Sequence, residues 1–313
     1  MRDFSIVKEL GNQVNRKFSK VFLVRRESDN KLFVLKIAEK NNSTILQQKK
    51  LFHESKVNLN SPFFQQNIDF WEDDKSMFLL KEFIPGETLD NWWRNEKKMK
   101  KLDKLKLFIS QCVPIFQELK NNNIVHNDIK PTNFIVNQEN SEIQLTLIDF
   151  GLAHSFPAKN DGEVLFSLGF SAPEIILSKK SITNHSSDLF SLGICMYNLY
   201  SGKLPLSHPN PSIFTNLQIT HPLLNDADIP KKLFELISKI CVKHSFRLPP
   251  NQLTEEEVNQ SLISAQVKRI QSIEEIEKEI NEINEQKFWR FFLIKILSKA
   301  NCSNKQNPLY RII

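Results

Sequence analysis

The sequence predicts an α+β protein of two lobes, a small lobe rich in β-strands and a larger helical lobe. Three observations indicate this fold class: β-rich segments with only one helix among them at the start of the chain, a Pro-Gly break, and helical periodicity afterwards. With 313 residues, the chain is long enough to bury a large core in more than one unit. We expect a small lobe at residues 1–84, a large lobe at 85–262 and a helical tail at 263–313.

The small lobe is predicted to contain four strands. Residues 17–26 and 31–39 alternate in polarity and are rich in β-branched and aromatic side chains, with the turn-like sequence ESDNK between them. Two shorter strands are expected near residues 67–73 and 76–83. The acidic turn between those two strands favours a hairpin.

One helix and one break complete the small lobe. Ser43 can cap a helix that reaches about Asn58 and carries Glu54. After the last strand, the sequence IPGETL at residues 84–89 supplies a Pro-Gly break. Such a break suits a hinge between two lobes.

The large lobe is predicted to be helical apart from a few loops. One helix has an apolar face at helical spacing, with Pro114 inside the pattern, where we expect a kink. The segment at residues 188–200 is apolar on most sides, which is typical of a buried helix. The apolar face of the first helix consists of Leu102, Leu105, Ile109, Cys112, Phe116 and Leu119.

Composition is typical of a globular enzyme of the cytoplasm or nucleus. The four cysteines lie far apart, so neither a disulfide framework nor a zinc site is indicated. No apolar stretch of about 20 residues is present, and the first ten residues lack a signal-peptide pattern. The net charge of +6, from 42 basic and 36 acidic residues, favours a mixed solvated surface, and we expect no nucleic-acid partner.

Two motifs concentrate polar side chains of the kind that phosphoryl transfer requires. They are IVHNDIKPTNFIV at residues 124–136 and LTLIDFGLA at 145–153. The chemistry needs a carboxylate to orient a hydroxyl, oxygen ligands for Mg²⁺ and a cation near the phosphates. The motifs offer these groups in Asp128, Lys130, Asn133 and Asp149.

The order and spacing of these four residues resemble the catalytic and metal-binding loops of protein kinases. The resemblance implies a bilobal kinase fold with ATP and Mg²⁺ bound between the lobes. Asp128 would orient the substrate hydroxyl, and Lys130 would stabilise charge on the transferred group. Asn133 and Asp149 would be the metal ligands.

The same resemblance implies a set of nucleotide-binding residues. Lys36 ends a strand and would reach the α- and β-phosphates, and Glu54 would hold its ammonium by a charge-assisted pair. The remaining members are Gly11 and Val21 of the loop above the phosphates, and the backbone of Glu82 and Ile84 at the hinge.

The sequence around residue 170 indicates the kind of substrate. A lysine two residues after Asp128 is typical of serine/threonine kinases, and Ser167 aligns with the family's threonine that contacts this lysine and aspartate. The sequence SLGFSAPE at 167–174 resembles the end of a kinase activation segment, in which Glu174 is expected to pair with Arg247. The resemblance therefore implies a protein serine or threonine as substrate.

Three positions depart from the family's pattern. The loop after Gly11 is long and has Ser19 where a glycine is usual, so its backbone would grip phosphates less closely. Asn127 replaces the arginine that usually receives a phosphorylated activation loop, which favours activity without such phosphorylation. Lys81 falls at the back of the adenine pocket, where apolar residues are usual, and a one-residue shift of register is an alternative.

Two other functions stay open at this stage. A pseudokinase acting as a nucleotide-binding or scaffold module is favoured by the glycine-poor loop and opposed by the complete set of polar residues. A small-molecule phosphotransferase is opposed by the peptide platform that the sequence SAPE builds.

The tail beyond residue 262 has three alternative interpretations. Isoleucines recur at helical spacing in a Glu-rich stretch, and the segment at 287–300 is apolar and aromatic with interspersed basic residues. This tail can dock on the large lobe, contact a partner through a short coiled coil, or lie on a membrane surface. The isoleucines are Ile273, Ile276, Ile280 and Ile283.

Overall fold

The computed structural model confirms an α+β chain of two lobes. A β-sheet with one helix forms the small lobe, and helices with two short sheets form the large lobe. The structure describes residues 3–10, 19–139, 142–157, 166–246 and 248–284.

The small lobe is built on a five-stranded antiparallel sheet. Its strands lie in the order β1-β2-β3-β5-β4. Alternate apolar side chains of the central strands pack on one face of the sheet, where Val24 and Leu35 are fully buried. The strands are β1 (Phe4–Leu10), β2 (Ser19–Arg26), β3 (Leu32–Glu39), β4 (Asn67–Glu72) and β5 (Ser76–Glu82).

Four of these strands agree with the sequence prediction, whereas β1 was not predicted. Most side chains of β1 are exposed, and Ile6 and Val7 both face solvent. An edge strand with few buried side chains has no alternating apolar pattern, because alternation comes from burying one face. Hydrogen bonding to the antiparallel strand β2, which begins with Phe4 opposite Arg26, makes this segment a strand.

The helix of the small lobe packs on the other face of the sheet. Helix α1 (Ile45–Lys56) buries Leu51 and Glu54 against it. Ser43 does not cap this helix, contrary to the sequence prediction. A 3-10 turn precedes α1, and the side chain of Asn41 accepts the N–H of Ser43 at 3.0 Å.

The large lobe buries a single helical core. Helix α3 contributes the predicted apolar face and continues on both sides of Pro114, and α5 is buried over almost its whole length. Within the described ranges, no helix is both long and apolar enough to cross a membrane. The helices are α2 (Leu89–Asn95), α3 (Lys101–Asn121), α4 (Pro173–Ile176), α5 (His185–Ser201), α6 (Pro211–Thr220), α7 (Lys231–Ile240), α8 (Glu255–Val267) and α9 (Ile273–Glu282).

Two short sheets hold the loops that carry the polar motifs. One has the strand order β6-β8-β9 and the other pairs β10 with β7. Both polar motifs therefore begin or end on a strand, which limits their freedom. The strands are β6 (Glu87–Thr88), β7 (Ile124–Val125), β8 (Phe134–Glu139), β9 (Glu142–Leu147) and β10 (His154–Ser155).

The last described helix docks on the large lobe. The apolar face of α9 is buried in the same core as α3 and α7, and Ile276 and Ile280 are fully buried. Of the three interpretations of the tail, docking on the large lobe is the one that applies to residues 273–283. The predicted boundary between residues 262 and 263 falls inside α8, and the segment at 287–300 lies outside the described residues.

The connection between the lobes requires a glycine at position 86. Gly86 has a φ of +123°, and a Cβ atom there would lie 2.2 Å from the carbonyl oxygen of Val136. We expect Gly86→Ala to lower the free energy of unfolding by about 2–3 kcal/mol, because the clash with backbone adds to the cost of the dihedral angle.

Gly202→Ala is the matched control for this prediction. Gly202 also has a positive φ, +80°, but a Cβ atom there has no neighbour within 4 Å. Its substitution should cost about 1 kcal/mol, since only the dihedral term remains. Denaturant titration of both variants measures the difference, and equal losses would show that the contact with Val136 relaxes freely.

Candidate active site

A buried ion pair joins the small lobe to the cleft between the lobes. Lys36 on β3 donates to both carboxylate oxygens of Glu54 on α1, at 2.8 Å each. The same ammonium lies 3.0 Å from Oδ1 of Asp149, which belongs to the large lobe. The structure therefore brings together three of the predicted site residues from three separate parts of the chain.

The charges around Lys36 keep it protonated. Burial alone would lower the pKa of Lys36, but the carboxylates of Asp149 and Glu54 outweigh this effect and hold that pKa well above its ordinary value. An ammonium that stays charged suits the binding of phosphate oxygens.

A second lysine contacts the same glutamate. Lys81 on β5 is 1% exposed, and its Nζ donates to Oε1 of Glu54 at 2.7 Å. The strand register places Lys81 opposite Val34 of β3. Val34 lies two residues before Lys36 on that strand. Lys81 itself therefore occupies this position of β5, and the alternative of a one-residue shift of register is wrong.

The second cluster surrounds the carboxylate of Asp128. Lys130 Nζ donates to both of its oxygens, at 2.8 and 3.0 Å, and also contacts Ser167 Oγ at 2.9 Å. Ser167 Oγ in turn donates to Oδ1 of Asp128. The Asn133 side chain donates to Oδ2 of Asp128 at 2.8 Å and to its backbone carbonyl at 2.7 Å. These four residues form one hydrogen-bonded unit.

The backbone of the loop before Asp128 is held by a buried carboxylate. Asp188 on α5 accepts the N–H groups of His126 and Asn127 at 2.7 and 2.9 Å. Burial raises the pKa of Asp188 to about 7, although both N–H bonds oppose this shift. Asn127 has a φ of +62°, a strained conformation for a residue other than glycine, and these bonds stabilise it.

The side chain of Asn127 connects its loop to residues 152–154. Its side-chain amide donates to the carbonyl of Leu152 at 2.9 Å and to Nδ1 of His154 at 2.6 Å. These bonds tie the catalytic loop to β10. The predicted independence from activation-loop phosphorylation stays a prediction, because residues 158–165 lie outside the described residues.

His154 makes the stability of this region depend on pH. Burial lowers the pKa of His154 to about 4, and the neighbouring Lys180 ammonium and the imidazoles of His53 and His185 act in the same direction. In the unfolded chain the pKa is about 6.5. Between about pH 6.5 and pH 4 the unfolded chain therefore binds a proton that the folded chain does not, so this stabilisation is complete above pH 6.5 and is lost on acidification.

We expect the parent protein to lose about 2–3 kcal/mol of unfolding free energy from His154 over this pH interval, and His154→Gln to lose correspondingly less. Urea titrations at several pH values measure the slope for each protein. His208→Gln removes an exposed histidine and serves as control. Identical slopes for the parent and the His154 variant would contradict the assignment.

One side-chain oxygen each of Asn133 and Asp149 suits a hard cation. The amide nitrogen of Asn133 is used by Asp128, so its Oδ1 is left, and no hydrogen bond from a described residue reaches it. The Asp149 side chain is 44% exposed, and only its Oδ1 is taken by Lys36. The backbone N–H of Ile148, the residue before Asp149, donates to the carbonyl of Asn133 at 2.9 Å, which joins the two loops at this point. Carboxylate and amide oxygens are the ligands that Mg²⁺ prefers.

The hinge residues lie at the end of β5. The carbonyl of Glu82 accepts from the side chain of Gln65 at 2.8 Å, whereas no described hydrogen bond involves the backbone of Ile84. Val21 on β2 lies opposite Lys36. Gly11 falls outside the described residues, so its predicted role in the loop above the phosphates stays a prediction.

Glu174 pairs with Arg269, a contact that the sequence did not predict. Glu174 is fully buried, and its two oxygens accept from the Arg269 guanidinium at 2.5 and 3.0 Å. Burial would raise the pKa of Glu174, but Arg269 outweighs it and holds that pKa below the ordinary value. The guanidinium also lies 4.8 Å from the ring centre of Phe190. Arg247, the expected partner, lies outside the described residues.

Sequence reasoning missed two of these contacts. Arg269 precedes Ser272, whose side chain caps α9 by accepting the N–H of Glu275 at 3.2 Å. An arginine before a capped amphipathic helix was the available signal. For Lys81, the signal was the lysine itself within an otherwise apolar strand.

Comparison with known proteins supports the interpretation of this site. The family profile described as "Protein kinase domain" matches residues 4–282. The chain is 27% identical to "Protein kinase 3" of Dictyostelium discoideum over 252 residues, or 74% of this chain and 27% of that protein.

Two further relatives are serine/threonine or cyclic-nucleotide-dependent kinases by name. A probable serine/threonine-protein kinase of Dictyostelium discoideum is 26% identical over 82% of this chain and 56% of its own length. The human "cAMP-dependent protein kinase catalytic subunit PRKX" is 26% identical over 77% of this chain and 66% of its own length. The chain thus spans less than two thirds of each of these relatives, while the family profile covers nearly all of the chain, from the first strand to α9. The chain belongs to the protein kinase family.

Proposed function

We propose that this chain is a protein serine/threonine kinase that transfers the γ-phosphoryl group of ATP to hydroxyl groups of a protein substrate. The observation that carries the proposal is the hydrogen-bonded unit around Asp128, in which an aliphatic hydroxyl, that of Ser167, already donates to the carboxylate. A substrate serine or threonine presents the same group. The name of one relative, a probable serine/threonine-protein kinase of Dictyostelium discoideum, supports the substrate class.

The proposed reaction uses each group of the site for one task. Asp128 orients the substrate hydroxyl and accepts its proton as the oxygen bonds to the γ-phosphorus and the bond to the bridging oxygen of ATP breaks. Lys130, whose ammonium already lies between Asp128 and Ser167, stabilises charge on the transferred group.

Other residues of the site would hold the nucleotide and the metal. Lys36, fixed by Glu54, would bind the α- and β-phosphates, and the backbone at Glu82 and Ile84 would bind the base. Asn133 and Asp149 would hold Mg²⁺, which when bound neutralises charge on the phosphate oxygens.

Purified protein with Mg²⁺, γ-labelled ATP and degenerate peptides fixed at serine, threonine or tyrosine tests the proposal. We expect label on the serine and threonine peptides and none on the tyrosine peptides. Asp149→Asn should abolish transfer, because it removes charge from the proposed metal site, and its thermal unfolding should show that the fold persists.

The same assay separates the alternative functions. Stabilisation of the fold by Mg–ATP without any transfer by the parent protein would favour a pseudokinase. Transfer to small hydroxyl compounds but not to peptides would favour a small-molecule phosphotransferase. Either result would overturn the proposed transfer to protein serine and threonine.

A further inference from the structure

Glu54 accepts hydrogen bonds from two lysines, whereas the family's pattern has one lysine paired with this glutamate. Glu54 accepts from Lys36 at 2.8 Å and from Lys81 at 2.7 Å, and both bonds lie in the interior. Lys36 has a proposed task at the phosphates. Lys81 has none in the proposed reaction, so its burial calls for an explanation.

A buried ammonium is costly unless its environment compensates it. Lys81 is 1% exposed, and Glu54 provides the single hydrogen bond that the described residues make to its three N–H donors. Burial lowers the pKa of Lys81, and the Glu54 carboxylate opposes that shift. A methionine or leucine would fill the same space without this cost, which indicates that the charge itself has a role.

The two lysines tie α1 to two different strands. Lys36 belongs to β3 and Lys81 to β5, and the strand pairing puts Lys36 opposite Leu79 and Lys81 opposite Val34. Their side chains therefore reach Glu54 from the same face of the sheet. A helix anchored at one buried residue from two strands has less freedom to move away than one anchored from a single strand.

The two lysines differ in the number of carboxylates to which they donate. The ammonium of Lys36 donates to both Glu54 and Asp149, and phosphate oxygens would be a third acceptor for it. Lys81 has no such second hydrogen-bond partner among the described residues. Glu54 therefore keeps a dedicated counterion in Lys81 while Lys36 serves the phosphates.

We infer that Lys81 is a positioning residue of the kinase site, which holds Glu54 and helix α1 in the arrangement that orients Lys36 before nucleotide binds. This inference rests on the proposed function for its kinetic consequence, but its structural consequence does not. The position of α1 would be set by the protein itself and would not depend on a partner or on a modification.

The kinetic test compares Lys81→Met with Lys104→Met. Lys104 is the matched control because it is also a buried lysine, but it lies on α3 and donates to the backbone carbonyls of Trp93 and Glu96. We expect Lys81→Met to lower kcat about tenfold, since Lys36 loses its fixed orientation, and to change the Kd for Mg–ADP less than threefold. Lys104→Met should leave kcat unchanged well below its unfolding temperature.

A double variant identifies the route of the effect. In a Glu54→Gln background, adding Lys81→Met should change kcat less than twofold, because the carboxylate through which Lys81 acts is gone. An undiminished tenfold loss in that background would show that Lys81 acts through packing. An unchanged kcat in the single variant would overturn the inference directly.

Hydrogen exchange supplies a readout that does not need activity. Backbone amides of α1, residues 45–56, should exchange faster in Lys81→Met than in the parent protein and in Lys104→Met. If the parent transfers no phosphate, the proposed function fails while this measurement still decides the role of Lys81. Equal protection of α1 in all three proteins would overturn that role.

Discussion

Replacing Asp128 by asparagine is expected to lower kcat by about 10²–10⁴-fold while the affinity for Mg–ATP changes little. The Asp128 carboxylate accepts from Lys130, Ser167 and Asn133 in the structure, and an amide has one oxygen to accept with and no charge. The amide cannot take the proton of a substrate hydroxyl. Single-turnover rates with saturating Mg–ATP measure the chemical step, and thermal shift measures nucleotide binding.

Asp74→Asn is the control for this substitution. Asp74 is exposed in the turn between β4 and β5, so the same chemical change there should leave kcat unaltered. A variant at Asp128 that keeps more than a tenth of the parent rate would remove this carboxylate from the proton-transfer step. A matching loss of nucleotide affinity would instead indicate that Asp128 supports the ATP site.

The sequence predicted elements that bury one face and missed those that do not. Helix α3 and strands β2 and β3 show strong periodicity because one side of each contacts the core. Strand β1 is mostly exposed, and strands such as β7 and β10 have two residues each, so neither periodicity nor length indicated them. Such segments become strands because a neighbour offers free backbone groups.

The candidate site was predictable where its residues lie close in the chain. Asp128, Lys130 and Asn133 share one loop, and their contacts follow from its short spacing. Lys36 and Asp149 are 113 positions apart, and only the resemblance to a family suggested that they meet. Residue identity alone does not contain such long-range contacts, because the whole fold sets them.

The pairing of Glu174 with Arg269 is a contact that sequence spacing did not predict. Arg247 comes at a plausible distance after α7, but α8 and its flanking loops occupy residues 248–268 before the next arginine. The buried side of α9, which packs beside α3 and α7, is what brings Arg269 to Glu174.

Replacing Arg269 by methionine is therefore expected to lower the free energy of unfolding by about 3–5 kcal/mol, because it leaves a buried carboxylate without its cation. Glu174 and Arg269 are both completely buried, and Ser187 donates a further hydrogen bond to Glu174, at 2.7 Å. Neither that bond nor water can replace a bidentate guanidinium. Urea unfolding at neutral pH measures the loss.

Two further variants separate the pair from its surroundings. Adding Glu174→Gln to Arg269→Met should recover about half of the lost stability or more, since the uncompensated charge disappears and only the hydrogen bonds stay unmade. Arg247→Met should change the free energy of unfolding by less than about 0.5 kcal/mol, because Arg269 already occupies both oxygens of Glu174. A loss of several kcal/mol in Arg247→Met, with little effect in Arg269→Met, would reverse the assignment and return Glu174 to the partner that the sequence first indicated.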